Sequence, residues 1–321
     1  MGLTPADLVE GAAANRPAIP TFAEFVPKVA ATVSPGVLRT YGTYWKRIVE
    51  RWGDRRLDEP TPLEFERLGA QIREERVTRK NGRDGRGAVE NYVAAIRCLY
   101  KKAVAEGLID EADDPAQKVA KPKRLPSTRR ALQDHRLSEI NEIAATTGDD
   151  PALDSLILRL HTETACRRGG ALSLRPSDLD EEQCLIRLRE KGGTVRWQPV
   201  SPTLMAALVD HGKERRAPVD GQLLRYRDGR AITYRRYDHL WVRVARHLPW
   251  AAAQGVSTHW LRHTVLTWVE RNFGHAVARA YAGHAETGGD TGSTGVYVKA
   301  DLQEVAVALS ALTGEKHPLM Y

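Results

Sequence analysis

Apolar residues return at three- and four-residue steps over much of the first hundred positions. Leu38, Tyr41, Trp45, Ile48 and Trp52 fall on one face and predict an amphipathic helix. Ser34-Pro35 suits its start, because serine can cap and proline fits the first turn. Gly53-Asp54 should end it. A second helix is expected from Pro62 to Arg76. Val89, Tyr92, Val93, Ile96, Leu99, Tyr100 and Val104 make the face of a third. Residues 21–114 thus read as a small all-helical domain, preceded by an Ala/Pro-rich stretch, residues 1–20, expected to be mobile.

The pattern breaks after residue 114. Residues 115–131 read as a linker: Lys118 to Arg130 carries basic residues and prolines with almost no apolar period. A second domain is expected over 132–321. Leu153 to Leu160 reads as helical, and a helix should continue past the Arg167-Arg168 pair to Leu174, where Pro176 stops it. The runs from Cys184 and from Val195 flank Lys191-Gly192-Gly193, a hairpin signature. Beyond Ser201 the chain looks mostly helical. Leu302, Val305, Ala306, Leu309 and Leu312 mark a terminal amphipathic helix over 300–313. The fold class expected is mainly α with a small β-hairpin or sheet, an all-helical N-terminal domain followed by an α+β domain.

Charge changes this picture more than composition does. The formal net charge is +7, which favours a polyanionic partner. Arginine supplies 36 of the 48 basic residues and lysine 12. That balance suits bidentate phosphate contacts, although a GC-rich genome gives the same bias. Cys98, Cys166 and Cys184 have no metal-ligand spacing, so a reduced cytoplasmic protein without a metal is expected. No apolar run approaches membrane-spanning length.

Chemistry concentrates in the second domain. Arg167 sits among apolar residues and must find an anion or acceptors; an ion pair is the bland alternative. Lys191 lies at the hairpin tip, where most lysines are simply solvated but one can reach a leaving oxygen. His259 and Arg262 are three apart and share a helix face, with Ser257-Thr258 able to cap that helix. His284 follows a glycine expected to end a helix at Ala282. Tyr297 is a core tyrosine on the bland reading and a nucleophile if cations stabilise its phenolate.

The order Arg, Lys, His-x-x-Arg, His, Tyr resembles the tyrosine recombinase (phage integrase) family. Thr164-Ala165-Cys166-Arg167, Glu190-Lys191-Gly192-Gly193 with Arg196-Trp197-Gln198-Pro199-Val200, His259-Trp260-Leu261-Arg262-His263-Thr264, Tyr281-Ala282-Gly283-His284 and Val296-Tyr297-Val298-Lys299 carry the likeness. Ala165 replaces the family's usual glycine, Gly170 stands where it often has glutamate, and a glycine-rich span lengthens the interval from His284 to Tyr297. The resemblance implies a two-domain clamp on duplex DNA. Arg167 and Arg262 would hold the scissile phosphate, with His259 and His284 beside it. Lys191 would protonate the leaving 5′ oxygen and Tyr297 would form a 3′-phosphotyrosyl link, with no cofactor. Strand exchange through a four-way junction needs a homotetramer, joined in this reading by the terminal helix; a directionality factor is a further partner the family allows. Arg79, Lys80, Arg83, Lys101, Lys102, Lys121, Lys123 and Arg124 are the expected backbone contacts. The rival readings are a type IB topoisomerase-like relaxing enzyme and a non-catalytic DNA-binding regulator.

Overall fold

In the computed structural model, residues 18–75, 85–123, 129–190, 193–283 and 300–320 are described. The chain divides into two compact units, residues 1–126 and 127–321.

The first unit contains α1 (Phe22–Thr32), α2 (Pro35–Trp52), α3 (Pro62–Glu74) and α4 (Arg86–Ala105). Thr21 and Thr61 each accept from the third helical N–H, while Glu24 and Glu64 return the bond, so α1 and α3 start in capping boxes. Ser34 caps α2 and Pro35 occupies its first position, as the sequence predicts. Trp45, Ile48 and Trp52 are buried, but Leu38 is 43% exposed: the apolar face of α2 outruns its partners at the first turn.

Aromatic rings fill this core, and their polar ends are paired. Tyr92 Oη donates to Phe65 O at 3.1 Å, Tyr100 Oη to Leu57 O at 2.6 Å and Trp45 Nε1 to Ala95 O at 3.0 Å. Ala116 and Val119 are buried in the same core, and Arg97 donates to both of their carbonyls. The chain is therefore packed on this unit at least to Val119.

The second unit runs through α5 (Asp134–Thr146), α6 (Pro151–Thr164), α7 (Arg168–Ser173), β1 (Leu179–Asp180), β2 (Leu185–Arg189), β3 (Val195–Pro199), α8 (Pro202–Glu214), α9 (Tyr234–His247), α10 (Pro249–Gln254), α11 (Thr258–Ala282) and α12 (Leu302–Thr313). The sheet is antiparallel in the order β1-β2-β3, with Ile186 opposite Gln198 and Leu188 opposite Arg196. Along β2, Ile186 and Leu188 are buried, while Arg187 and Arg189 alternate outward to the buried carboxylate of Asp178. This is the expected hairpin; its tip, residues 191–192, lies outside the described residues.

Two cores build the unit. The larger is formed by α5, α6, the sheet and α8 to α11. The smaller joins Val265, Val269, Val277 and Tyr281 of α11 to Val305, Ala308 and Leu309 of α12. The apolar stripe of the terminal helix is thus covered within its own chain. Among the described residues no helix is long and apolar enough to cross a membrane.

Candidate active site

The first arginine is presented by a turn rather than a helix. Helix α6 ends at Thr164, and Ala165 adopts a left-handed conformation with φ 48°. That backbone explains why glycine is favoured at this point, since alanine there costs about 1–2 kcal/mol. Arg167 then sits in extended backbone as the N-cap of α7. The expectation of one continuous helix through Arg167 is corrected, because the αL residue turns the chain.

Buried groups hold this turn. His161 Nδ1 donates to Cys166 O at 3.1 Å, and Tyr237 Oη donates to His161 Nε2 at 3.0 Å. The carbonyl fixes which ring nitrogen carries the proton. Burial depresses His161 to about 4, so it is neutral at pH 7. The same burial pushes the Cys166 thiol up to about 11, which leaves it inert.

Helix α11 carries His259 and Arg262. Its N-cap, Ser257, makes no side-chain cap bond, and the hydroxyl of Thr258 accepts from Trp241 Nε1 at 2.8 Å. The expected side-chain cap is therefore absent, the threonine being taken by the indole. Arg262 is buried and donates to Ala165 O and, at 2.7 Å, to Ala282 O. It thereby satisfies carbonyls at the C-terminal ends of α6 and α11. Burial, then the neighbouring charge of Arg167, lowers Arg262 to about 10, so it stays charged at pH 7. His263 donates Nε2–H to Arg129 O at 3.2 Å, which leaves Nδ1 to accept from Thr267.

Arg167, His259 and Arg262 come together on the wall of one cavity of about 560 Å³, with Cys166, Ser257 and Trp241 also lining it. Loss of hydration at the wall, followed by the positive charges of Arg129 and Arg262, lowers His259 below its ordinary value. The cavity joins two guanidiniums, one of them buried, to an imidazole that is neutral at pH 7. Such a set can grip a phosphate and stabilise added negative charge on it.

Glu190 and Arg196 flank this cluster, and the sequence motifs assign neither a role. Glu190 is buried; its Oε1 accepts from Arg167 N–H at 2.8 Å and its Oε2 from Arg167 Nη1 at 2.6 Å. Gly170 makes room for it, since a Cβ there would lie 3.3 Å from Glu190 Cγ. The glutamate missing at position 170 is the available signal: a carboxylate has to come from elsewhere. Arg196 donates to Gln198 Oε1 and, at 3.5 Å, to Thr164 O, while its buried Nε has no partner among the described residues. It packs against Gly283, whose φ of 60° ends α11 as expected.

Lys191, His284 and Tyr297 lie outside the described residues, as do Arg79, Lys80, Arg83 and Arg124. Lys101 and Lys102 are exposed on α4, and Lys121 and Lys123 are exposed beyond Val119. Among the described residues no group of His, Cys, Asp and Glu is placed to hold a metal ion.

A protein-family model described as the phage integrase family matches residues 130–304. The chain belongs to that family. Two relatives, both named tyrosine recombinase XerC, add to the match. The protein of Roseiflexus sp. is 24% identical over 185 residues, 55% of this chain and 57% of its own length. That of Pseudomonas aeruginosa is 27% identical over 222 residues, 68% of this chain and 70% of its own length. The chain thus spans between about half and about two thirds of these relatives. Among solved structures, a lambda integrase tetramer bound to a Holliday junction superposes with a TM-score of 0.62 at 15% identity, over 94% of this chain and 82% of that one. At that identity the likeness concerns the fold, which is that of a tyrosine recombinase.

Proposed function

We propose that this chain cuts and rejoins duplex DNA at specific sites through a 3′-phosphotyrosyl link, with Tyr297 as nucleophile. The convergence of Arg167, His259 and Arg262 on one cavity is the observation that carries this reading. Arg167 and Arg262 bind the non-bridging oxygens of the scissile phosphate. The Tyr297 phenol loses its proton as its oxygen attacks phosphorus, and neutral His259 is the acceptor in this scheme. The P–O5′ bond breaks, and Lys191 supplies the proton to the departing 5′ oxygen. His284 binds the phosphate or orients the phenol. A 5′ hydroxyl from another strand reverses the step, so the bond energy is conserved.

In this proposal the helical unit is the second jaw of a DNA clamp, and two exchanges through a four-way junction require a tetramer. The lambda integrase tetramer on a Holliday junction supports that stoichiometry by fold likeness. Docking of α12 into a neighbouring subunit would require it to leave the core that Val305, Ala308 and Leu309 fill in this structure. The test uses nicked suicide duplexes built from the gene's flanking sequence. The parent should form a covalent adduct whose peptide maps to Tyr297, and Tyr297→Phe should bind the duplex but form none. An adduct on Tyr281 or Tyr321 would overturn the assignment.

A further inference from the structure

The Arg167 guanidinium is held by a group from the other side of the fold. Among the described residues its one hydrogen-bond partner is Glu190, at the end of β2. The Glu190 side chain is fully buried, while that of Arg167 is 37% exposed. Both carboxylate oxygens are used on Arg167, one on its backbone N–H and one on Nη1. Main chain and guanidinium are thereby fixed together, which leaves Nε and Nη2 for a ligand.

The surroundings are strongly cationic. The charge of Glu190 is felt at Arg196 and Arg262, and each of these also feels Arg167. These three guanidiniums repel one another, and Glu190 is the carboxylate that opposes this. Glu190 is also tied to the hairpin, since its N–H donates to Thr194 O at 2.8 Å. One residue therefore joins the base of the hairpin to Arg167.

We infer that Glu190 is a positioning residue for Arg167, setting its guanidinium for a phosphodiester and holding the cationic site together before DNA arrives. This rests on the recombinase reading for its catalytic consequence, but the pinning of Arg167 stands on geometry alone. The space beside Gly170 makes the inference testable by relocation. A side chain built from Gly170 enters the volume that Glu190 occupies, 3.3 Å from its Cγ and 3.4 Å from Oε1. Gly170 lies in α7 without a positive φ, so its backbone accepts a side chain. A carboxylate can thus be moved from position 190 to position 170.

The experiment compares the parent with Glu190→Gln, Glu190→Ala, Gly170→Glu and the double variant Glu190→Ala/Gly170→Glu. Two readouts are taken: single-turnover adduct formation on the suicide duplex, with binding measured separately, and the rate at which phenylglyoxal modifies Arg167, followed by peptide mapping. Glutamine keeps the bond to the Arg167 N–H but turns an amide towards Nη1. Glu190→Gln should therefore cut adduct formation roughly 10–100-fold with binding nearly unchanged, the usual cost of a slightly misplaced reacting group. Arg167 should be modified several-fold faster in Glu190→Ala. Gly170→Glu alone should be impaired, because two glutamates then share one space, whereas the double variant should regain both Arg167 protection and much of the lost cleavage. Equal modification rates in parent and Glu190→Ala would overturn the pinning. Parent-like cleavage by Glu190→Gln, or a double variant no better than Glu190→Ala, would overturn the positioning role. If the parent itself forms no adduct, the recombination reading fails, and the labelling still decides whether Glu190 holds Arg167.

Discussion

At the scale of single residues, the two arginines differ in what they do before any ligand binds. Arg167 is part-exposed and bonded to one carboxylate, whereas Arg262 is buried and ties together two helix ends. Each should matter to cleavage: loss of one such electrostatic donor costs about 2.7–4 kcal/mol in the transition state, or roughly 10²–10³ in rate. Both should also cost stability, by different routes. Arg262→Ala strands the carbonyls of Ala165 and Ala282, and Arg167→Ala leaves the buried Glu190 carboxylate without its ion pair, so each should lower the melting temperature; a parent-like melting temperature in either variant would mean that its bonds carry no structural weight. His161 gives a pH prediction with a definite sign. Folded His161 titrates near 4, but the unfolded chain takes up that proton near 6.5. Protons therefore favour the unfolded state between these values, so this contribution is intact above pH 6.5 and lost as the pH falls towards 4. At most about 3 kcal/mol is at stake. Urea unfolding at pH 7 and pH 4.5 should show the parent losing more stability than His161→Gln; parallel losses would refute the assignment.

At the scale of elements, the site depends on where helices stop. Helix α6 ends on Ala165 and α11 on Gly283, both left-handed, and Arg196 and Arg262 bond the carbonyls of Thr164 and Ala282 left open there. Gly283→Ala should be destabilising by about 1–3 kcal/mol, from the positive φ and from overlap with Arg196, whose Nε crowds the position a Cβ would take. Thermal melting checks this; an unchanged melting temperature would show that the turn yields freely. Helix α12 makes a second element-scale prediction. Leu309 is fully buried against α11, so Leu309→Ala should cost about 2–5 kcal/mol even in protein free of DNA. Deleting residues 300–321 should expose Val265, Val269 and Tyr281 and give a protein that melts far lower or aggregates. A truncated protein as stable as the parent would show that α12 is only loosely held within its own chain.

At the scale of the whole molecule, a net charge of +7 has to be distributed usefully. Many arginines are already committed: Arg215 to Asp150, Arg236 and Arg243 to Asp154, Arg187 and Arg189 to Asp178. Each of these carboxylates cancels one arginine charge, so part of the field these arginines would make is already neutralised. Exposed Lys101, Lys102, Lys121 and Lys123 are better placed to meet a polyanion. Neutralising Lys121, Lys123 and Arg124 together should weaken DNA binding and flatten its salt dependence by roughly 0.9 for each phosphate no longer engaged. An unchanged slope in gel-shift titrations from low to moderate salt would mean that this stretch touches no phosphate.

Local patterning determined a good deal without any structure. The Trp45, Ile48, Trp52 face, the Ser34-Pro35 start, the hairpin strands on either side of Lys191 and the helix stop at Gly283 all follow from rules that act within a few residues, and the structure reproduces each of them. Motif order likewise singled out Arg167, His259 and Arg262 before geometry joined them. Other features depend on contacts between residues far apart in the chain, which no local period encodes. Leu38 looks as apolar as its neighbours and stays exposed because the helix face outruns its partners. Arg167 stands outside a helix because Ala165 turns left-handed, a choice stabilised by long-range bonds from Arg262. Glu190 reached its place 23 residues along the chain from Arg167 only because β2 runs beside α7 and Gly170 leaves the space. The sequence determined which side chains could do the chemistry; tertiary packing decided which carboxylate holds the first arginine, because burying a charge requires its partner to be brought to it.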